Sequence, residues 1–303
     1  MRLALEHFNS LISLVNHFNN DKRCRDFITE QRWGKVVVCP FCGCTHIYEC
    51  GNGDNQFKCA HCHKRFSCLV GTIFENTKLP LQKWFMAMYL ISSHKKGISS
   101  RQLSRDIDVT QKTAWFILHK IRTLFAQEDV VLDGVVECDE MYIGGRETNK
   151  HDSKKTEDVD KETGEVREKT HTYEVAKKVA DTKAATLIPI IEHFVAEGST
   201  VVTDELSAYN GLDKKYNHIF VRHGEREFTV GSYSTNGIEG FLGHFKRVIF
   251  GTYHFVSKAY LERYIDEAVY RFNTKELKES ARFGYMFKKA LGTCYYKDVK
   301  MVA

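Results

Sequence analysis

Two pairs of cysteines near the N-terminus constrain this chain more than any other feature. Cys39 and Cys42 form one Cys-x-x-Cys pair, and Cys59 and Cys62 form a second after sixteen intervening residues. Each such turn places two thiolates on one side of a tetrahedral ion, so two turns complete a set of four ligands. The spacing therefore predicts a zinc ribbon in which these four cysteines bind Zn²⁺.

The zinc is expected to be structural, because four protein ligands leave no open coordination position for a substrate. A ribbon of this size buries too little apolar surface to fold alone, so metal binding should drive its folding. Iron accepts the same ligands, but no other feature of the sequence indicates electron transfer. The neighbouring residues that are not expected to bind the ion are Cys44, Cys50, His61 and His63.

The composition is that of a globular protein. The chain has 303 residues, of which 43% are hydrophobic and 12% aromatic, and its net charge is +5. This length allows one large domain with one or two small ones, and the charge permits a nucleic-acid partner without establishing one. We expect a cytoplasmic protein without a membrane partner, because the sequence lacks both a long apolar run and a signal-peptide pattern.

A helix-turn-helix pattern begins at Gly97, and an ordinary helical hairpin is the alternative. Ser99 or Ser100 can cap its first helix and Thr110 its second. The residues predicted to be buried are Leu81, Trp84, Phe85, Met88 and Tyr89 in a preceding helix, then Leu103, Ile107, Ala114, Ile117, Leu118, Ile121 and Leu124. Those predicted to lie on the open side are Gln111, Lys112, Thr113, Trp115 and Arg122. Gln, Lys and Thr at the start of a recognition helix are residue types that contact bases or phosphates.

Three acidic residues then lie where a metal-dependent phosphoryl-transfer site needs them. Asp139 and Asp204 each follow a short apolar strand pattern, and Glu239 lies in a helical pattern with Lys246 seven residues later. Seven residues are two helical turns, so this carboxylate and this cation share one helix face. Carboxylate oxygens are the ligands that Mg²⁺ or Mn²⁺ prefers, and two such ions can clamp a phosphoryl displacement. Lys246 is expected to hold the DNA backbone.

Neighbouring acids are rivals for these positions. Glu140 and Glu205 follow the two aspartates directly, but strand alternation turns them the other way if each strand continues. Asn236 is a rival for the helical position, or a contact to DNA. His223 and His254 are candidates for contacts to DNA or to the leaving group.

The order of these motifs resembles bacterial insertion-sequence transposases of the ISXO-like group. The stretches that carry the resemblance cover most of residues 30 to 274, and they are CPFCG, FKCAHCHKRFS, GTIFENTKLPLQKWF, GISSRQLSRDIDVTQKTAWF, ECDEMYIGG, AATLIPII, GSTVVTDELSAYNGL and TNGIEGFLGHFKRVIFGTYHFVSKAYLERYIDEAVYRFN. The resemblance implies a zinc ribbon joined to a ribonuclease-H-like catalytic domain, with Asp139, Asp204 and Glu239 as metal ligands. It also implies cleavage at element ends, transfer of the 3′-hydroxyl into target DNA, location at the nucleoid and a homo-oligomer on DNA.

We therefore expect an α+β protein with successive small modules and one catalytic domain. The expected divisions are an N-terminal helical segment (1–34), a zinc ribbon (35–70), a helix-turn-helix (78–127), a ribonuclease-H-like domain of mixed α/β structure (130–275) and a basic C-terminal tail (276–303). The expected DNA contacts are Gln111, Lys112, Thr113, Asn236, Lys246, Arg247 and His254. The partners are the terminal repeats of the element and target DNA.

One stretch departs from the family pattern. The family has a further apolar strand after the first aspartate, whereas residues 154–172 here are almost wholly polar. Residues 172–179 could supply a strand in place of the missing one. The alternative function is a catalytically decayed transposase that binds DNA without cutting it, and a third is a ribonuclease-H-type nuclease acting on RNA.

Overall fold

The computed structural model describes residue 8 and residues 10–51, 55–127, 129–143, 173–225 and 227–292. It has two compact units. The first unit comprises Met1–Glu128, Ala176–Lys178 and Arg247–Ala303, and the second comprises Asp129–Val175 and Val179–Lys246. The α+β class is confirmed, since both units contain helices and each has a three-stranded sheet. Among the helices of these ranges, none has the length and apolarity needed to cross a membrane.

Within the described residues, two helices lie in the part of the first unit where the sequence predicted a helical segment. These are α1 (Leu11–His17) and α2 (Asp21–Trp33). Each begins at a polar capping residue, because the Ser10 hydroxyl accepts the N–H of Ser13 and the Asn20 side chain accepts that of Arg23. Such caps satisfy donors that have no partner within the helix.

The predicted zinc ribbon is an antiparallel sheet of three strands. The strands are β1 (Ile47–Cys50), β2 (Gln56–Cys59) and β3 (Arg65–Ser67), with β2 in the centre. Phe57 and Phe66 are paired across β2 and β3, and both rings pack edge-on against Trp33 at the end of α2. The small core of the ribbon thus extends to Trp33, and this aromatic contact holds the ribbon against α2.

The helix-turn-helix consists of α3 (Leu81–Ser93), α4 (Ser100–Asp106) and α5 (Gln111–Arg122). Ser99 caps α4 and Thr110 caps α5, each by accepting a backbone N–H through its hydroxyl, as predicted. All the apolar residues predicted to be buried in these helices and in the turn that follows α5 are buried. The interpretation of three packed helices is therefore confirmed.

The last part of the first unit contains α8 (Leu261–Asn273) and α9 (Glu279–Ala290). The prediction of a basic tail is wrong for residues 279–290. Phe283, Met286, Phe287 and Ala290 follow helical spacing and lie in the same core as α3. Lysines near the helix C-terminus concealed this pattern, although cations are favourable there.

Arg122 does not lie on the open side of α5, which corrects the sequence prediction. Its guanidinium is 1% exposed, and its Nε donates to Glu267 Oε2 at 2.6 Å. Arg271 and Tyr253 donate to the other oxygen, Glu267 Oε1. Gly97 lies against this network with φ +76°, and a Cβ there would overlap the Tyr253 hydroxyl. The amphipathic pattern of α5 could not reveal a partner 145 residues away.

Removing the Glu267 charge is expected to destabilise the first unit strongly. Burial by itself raises the pKa of Glu267, but Arg122 and Arg271 outweigh it and hold that pKa below its ordinary value. Glu267→Gln leaves two buried cations without their shared counter-ion, so the free energy of unfolding should fall by about 3–5 kcal/mol. Urea denaturation measures this, with Glu276→Gln at an exposed position as the control. A loss for Glu267→Gln no larger than that of the control contradicts the assignment.

The second unit has a parallel sheet in the order β4 (Val135–Glu137), β5 (Thr200–Thr203) and β6 (Asn217–Phe220). The apolar run at 185–195 forms a helix, α6 (Ala184–Phe194). Leu187 and Ile191 of α6 share a buried cluster with Val136 and Val201 of the sheet. Helix α7 (Asn236–Val248) follows, and a π-helical turn at Ile249–Tyr253 continues it in the first unit.

Residues 173–179, which were a candidate replacement for the missing strand, do not form a strand. Residues 144–172, which include the whole polar stretch, lie outside the described ranges, but 173–179 are described and have no strand. The Gln127 side chain instead donates to the Ala176 carbonyl at 2.7 Å and accepts the Ala176 N–H at 3.0 Å. The Gln127 amide therefore makes the two backbone hydrogen bonds of Ala176 that a neighbouring strand would otherwise make.

Candidate functional site

The four cysteines of the ribbon lie together as the spacing predicted. Their sulfur atoms are all within 4.8 Å of one another. Cys39 Sγ is 3.7 Å from Cys62 Sγ, and Cys42 Sγ is 3.6 Å from Cys59 Sγ. A tetrahedron with Zn–S bonds of about 2.3 Å has an edge of roughly 3.8 Å, so the set fits Zn²⁺. Cys44 is outside this group and lies against the backbone of His46.

The two aspartates of the second unit are brought together by strand register. β4 and β5 are parallel neighbours in which Glu137 is the partner of Val202. Extending that register by two residues sets Asp139 beside Asp204, because both strands rise equally per residue. The Cys138 N–H still donates to the Val202 carbonyl at 2.8 Å, so the register holds up to the site.

Glu140 joins the two aspartates, which corrects the prediction that it faces away. One carboxylate oxygen each of Asp139, Glu140 and Asp204 lies within 4.8 Å of the others. β4 ends at Glu137, so strand alternation no longer determines where Glu140 points. Glu205 is exposed and outside the group, and its carboxylate lies beside Gly224.

Glu239 lies near this group without belonging to it. Its Oε1 accepts the Thr235 hydroxyl at 2.8 Å and is 3.2 Å from His223 Nε2. The N-terminus of α7 is fixed to β4, because Glu137 Oε2 accepts the Ile238 N–H at 2.9 Å. Gly237 permits this approach, since a Cβ there would be 2.7 Å from that oxygen. The negative charge of Glu137 is favourable at the N-terminus of α7, where the helix dipole is positive.

The electrostatics of the group favour a bound cation. Burial, followed by the charges of Glu140, Asp204 and Glu239, raises the pKa of Asp139 to about 6, although the Glu140 N–H partly opposes the shift. Carboxylates this close disfavour one another's charged form, and a divalent cation reverses that effect. The oxygen donors and their charge fit a hard ion such as Mg²⁺ or Mn²⁺.

The remaining candidates are placed on the surface. Lys246 is exposed on α7, seven residues after Glu239 and so on about the same side of the helix. Asn236 and Arg247, near the two ends of α7, are also exposed. His254 is exposed in the first unit, where its Nδ1 is 2.9 Å from the Phe250 carbonyl.

In the helix-turn-helix, the start of α5 carries its predicted polar residues. Gln111 and Lys112 are exposed, and Thr113 is half-buried. The Gln111 amide donates to the Ser100 hydroxyl at 2.8 Å, and the Thr113 hydroxyl is 2.9 Å from that of Thr110. Lys112 is thus the candidate most open to a ligand.

Comparison with known proteins assigns the family. Residues 131–273 match the ISXO2-like transposase domain, a DDE-type domain, and residues 19–65 match the transposase zinc-ribbon domain. The chain belongs to the ISXO2-like transposases. Membership in this family assigns a transposase function, a nuclease or transferase type of chemistry, and a ribonuclease-H-like fold for the transposase domain at residues 131–273. The zinc-ribbon domain at residues 19–65 and its four cysteines assign a structural zinc, and the two domains together indicate a DNA-binding protein.

Two relatives support this membership of the transposase family. One is an uncharacterized protein in transposable element ISH50 of Halobacterium salinarum, which is 26% identical over 242 residues, covering 74% of this chain and 82% of that protein. Another is an uncharacterized transposase-like protein of Haemophilus influenzae, which is 34% identical over 101 residues, covering 33% of this chain and 80% of that protein. No solved structure gives a significant match.

Proposed function

We propose that this transposase uses Mg²⁺ or Mn²⁺ to cut DNA at the ends of its insertion sequence and to join the freed 3′-hydroxyl to target DNA. The observation that carries the proposal is the meeting of Asp139, Glu140 and Asp204 within 4.8 Å. These residues lie at the ends of adjacent parallel strands, where the sheet leaves their carboxylates at one edge. Glu239 adds a further negative charge nearby.

The proposed reaction consists of two displacements at phosphorus, a hydrolysis followed by a transesterification. In the first, the oxygen of water forms a bond to phosphorus and the P–O3′ bond breaks, which leaves a 3′-hydroxyl and a 5′-phosphate. In the second, that 3′-hydroxyl forms a bond to a target phosphorus and displaces a target 3′-oxygen, which takes up a proton. Divalent ions in the carboxylate group would offset the negative charge on the attacking and leaving oxygens.

The residues of the chain bind and orient the reactants. We assign Asp139, Asp204 and Glu239 to ion binding, and the hydrogen bond from Thr235 fixes the Glu239 carboxylate. Lys246 is exposed on the Glu239 side of α7, where its ammonium group can hold a backbone phosphate. Asn236, Arg247 and His254 are assigned to further contacts with DNA on the basis of their exposure.

We assign recognition of the element ends to the helix-turn-helix. The N-terminus of a recognition helix enters the major groove and offers its side chains to bases and phosphates. Gln111, Lys112 and Thr113 lie in the first turn of α5. Because transposition joins two ends, we also propose a homo-oligomer on DNA.

Neutralising Lys112 is expected to weaken DNA binding in a salt-dependent way. An exposed lysine that contacts one phosphate contributes about 0.9 to the slope of log affinity against log salt concentration. Lys112→Gln should therefore lower the slope by about that amount in an anisotropy titration with duplex DNA. Lys22→Gln, at an exposed position of α2, is the control. Equal slopes for the two variants would remove Lys112 from the interface.

The test of the proposal is a cleavage and strand-transfer assay on DNA that carries the inverted repeats flanking the gene. With Mg²⁺ or Mn²⁺ we expect nicks at the element ends and joined products with a target plasmid, and no product with EDTA. Specific binding without any cleavage would instead support a decayed transposase. Cleavage confined to RNA–DNA hybrids would support a ribonuclease-H-type nuclease.

A further inference from the structure

Each carboxylate in the group is held through one oxygen by a donor of the protein. Asp139 Oδ1 accepts the Glu140 N–H at 2.8 Å, and Asp204 Oδ1 accepts the Leu206 N–H at 3.0 Å. Glu140 Oε2 accepts the hydroxyl of Tyr209 at 2.7 Å. Such a donor fixes the orientation of a carboxylate and leaves its other oxygen available to an ion. Glu140 thus resembles the two aspartates, because one of its carboxylate oxygens is fixed by a hydrogen bond.

The Tyr209 hydroxyl is held firmly in place. Tyr209 is 3% exposed and ends a helical turn, Ser207–Tyr209, that begins three residues after Asp204. Its ring packs in the cluster that contains Val136, Val201 and Leu212. A buried tyrosine needs a partner for its hydroxyl, and here that partner is the Glu140 carboxylate.

Glu239 is held by different partners. Its Oε1 already lies within hydrogen-bond distance of Thr235 and His223, and it is outside the group of oxygens that lie within 4.8 Å. Glu140 is therefore the third carboxylate that the fold places beside Asp139 and Asp204. Three carboxylates this close repel one another when charged, and a divalent cation bound among them relieves that repulsion.

We infer that Glu140 is a ligand of the divalent ion bound by Asp139 and Asp204, and that Tyr209 is a positioning residue that sets the Glu140 carboxylate. The inference rests on the proposed function, since it assigns a ligand to the same ion site. The ligand class is a hard divalent cation, Mg²⁺ or Mn²⁺, bound through carboxylate oxygen. Tyr209 acts only through Glu140, because its hydroxyl is already donated to that carboxylate.

The chain contains a matched control for each residue. Glu205 follows Asp204 as Glu140 follows Asp139, but it is exposed and outside the group. Tyr216 is 6% exposed in the same cluster as Tyr209, but its hydroxyl donates to the Val195 carbonyl at 3.2 Å. A loss of stability from removing a buried hydroxyl would affect both tyrosines, whereas an effect on ion binding should follow Tyr209 alone.

The experiment measures Mn²⁺ affinity directly, by the electron paramagnetic resonance signal of free Mn²⁺ in titrations of the full zinc-loaded chain. Tyr209→Phe should weaken binding by about 10- to 100-fold, the loss typical of an outer-shell change, and Glu140→Gln, which alters a ligand, should weaken it at least as much. Glu205→Gln and Tyr216→Phe should remain within about twofold of the wild type, which allows for the usual scatter of surface and core substitutions. Circular dichroism checks that every variant is folded.

The outcomes separate this inference from the proposed function. If Asp204→Asn weakens Mn²⁺ binding but Glu140→Gln matches Glu205→Gln, Glu140 is not a ligand and the proposed function stands. If Asp204→Asn also binds Mn²⁺ like the wild type, both fail. If Glu140→Gln weakens binding while Tyr209→Phe matches Tyr216→Phe, the ligand role is supported and the positioning role is overturned.

Discussion

Asp204→Asn is expected to lower the rate of metal-dependent DNA cleavage by about 100- to 1,000-fold, the range seen when one preorganised electrostatic group is lost from an active site. The substitution preserves side-chain size and an oxygen that can accept the Leu206 N–H, as Asp204 Oδ1 does at 3.0 Å. It removes only the negative charge that the ion requires. Asp139→Asn should behave similarly, because Asp139 belongs to the same group.

Single-turnover cleavage of DNA bearing the element ends measures this effect, and anisotropy measures DNA binding in parallel. Binding should be retained, because neither the zinc ribbon nor the helix-turn-helix is altered. Asp213→Asn provides a matched control, since Asp213 is an exposed aspartate of the second unit outside the group. Cleavage by Asp204→Asn at the rate of the Asp213→Asn protein would exclude an essential role for the Asp204 carboxylate.

Loss of one zinc ligand is expected to unfold the ribbon completely. Zinc binding to small cysteine-containing domains supplies roughly 10–16 kcal/mol of apparent free energy, far more than the core of such a domain. The ribbon buries only a small cluster around Phe57, Phe66 and two of the ligand cysteines. The Cys59→Ser protein should therefore lose both the zinc and the pairing of β1, β2 and β3.

Metal analysis and amide hydrogen exchange of residues 35–70 measure this result. Cys44→Ser is the control, because Cys44 lies in the same ribbon but outside the four-sulfur group. It should retain zinc and the protection of β2. Full zinc content in Cys59→Ser, or equal loss in Cys44→Ser, would contradict the assignment of the ligands.

Local rules account for the parts of this structure that the sequence could predict. The zinc site follows from cysteine spacing, and the caps at Ser99 and Thr110 follow from hydroxyls placed before helical patterns. The placement of Asp139 and Asp204 follows from two apolar strands that end at equivalent positions in a parallel pair. Each of these features depends on residues close in sequence, or on the regular geometry of one pair of strands.

Contacts between distant segments account for what the sequence could not predict. The sequence pattern placed Arg122 on an open helix face, whereas in the structure Glu267 lies opposite it. Glu140 was expected to face away if the first strand continued through it, but β4 ends at Glu137. No pattern in the sequence marked Tyr209 as its partner. The roles assigned to the DNA-contact candidates stay predictions, and these are Gln111, Lys112, Thr113, Asn236, Lys246, Arg247 and His254.

The most direct test of the shared ion site is anomalous diffraction from crystals soaked in Mn²⁺, recorded at the manganese edge. The expected result is a manganese peak within roughly 2.5 Å of one carboxylate oxygen each of Asp139 and Asp204, as hard-ion coordination requires. Manganese bound elsewhere, with none between these two side chains even in a complex with DNA, would contradict the account.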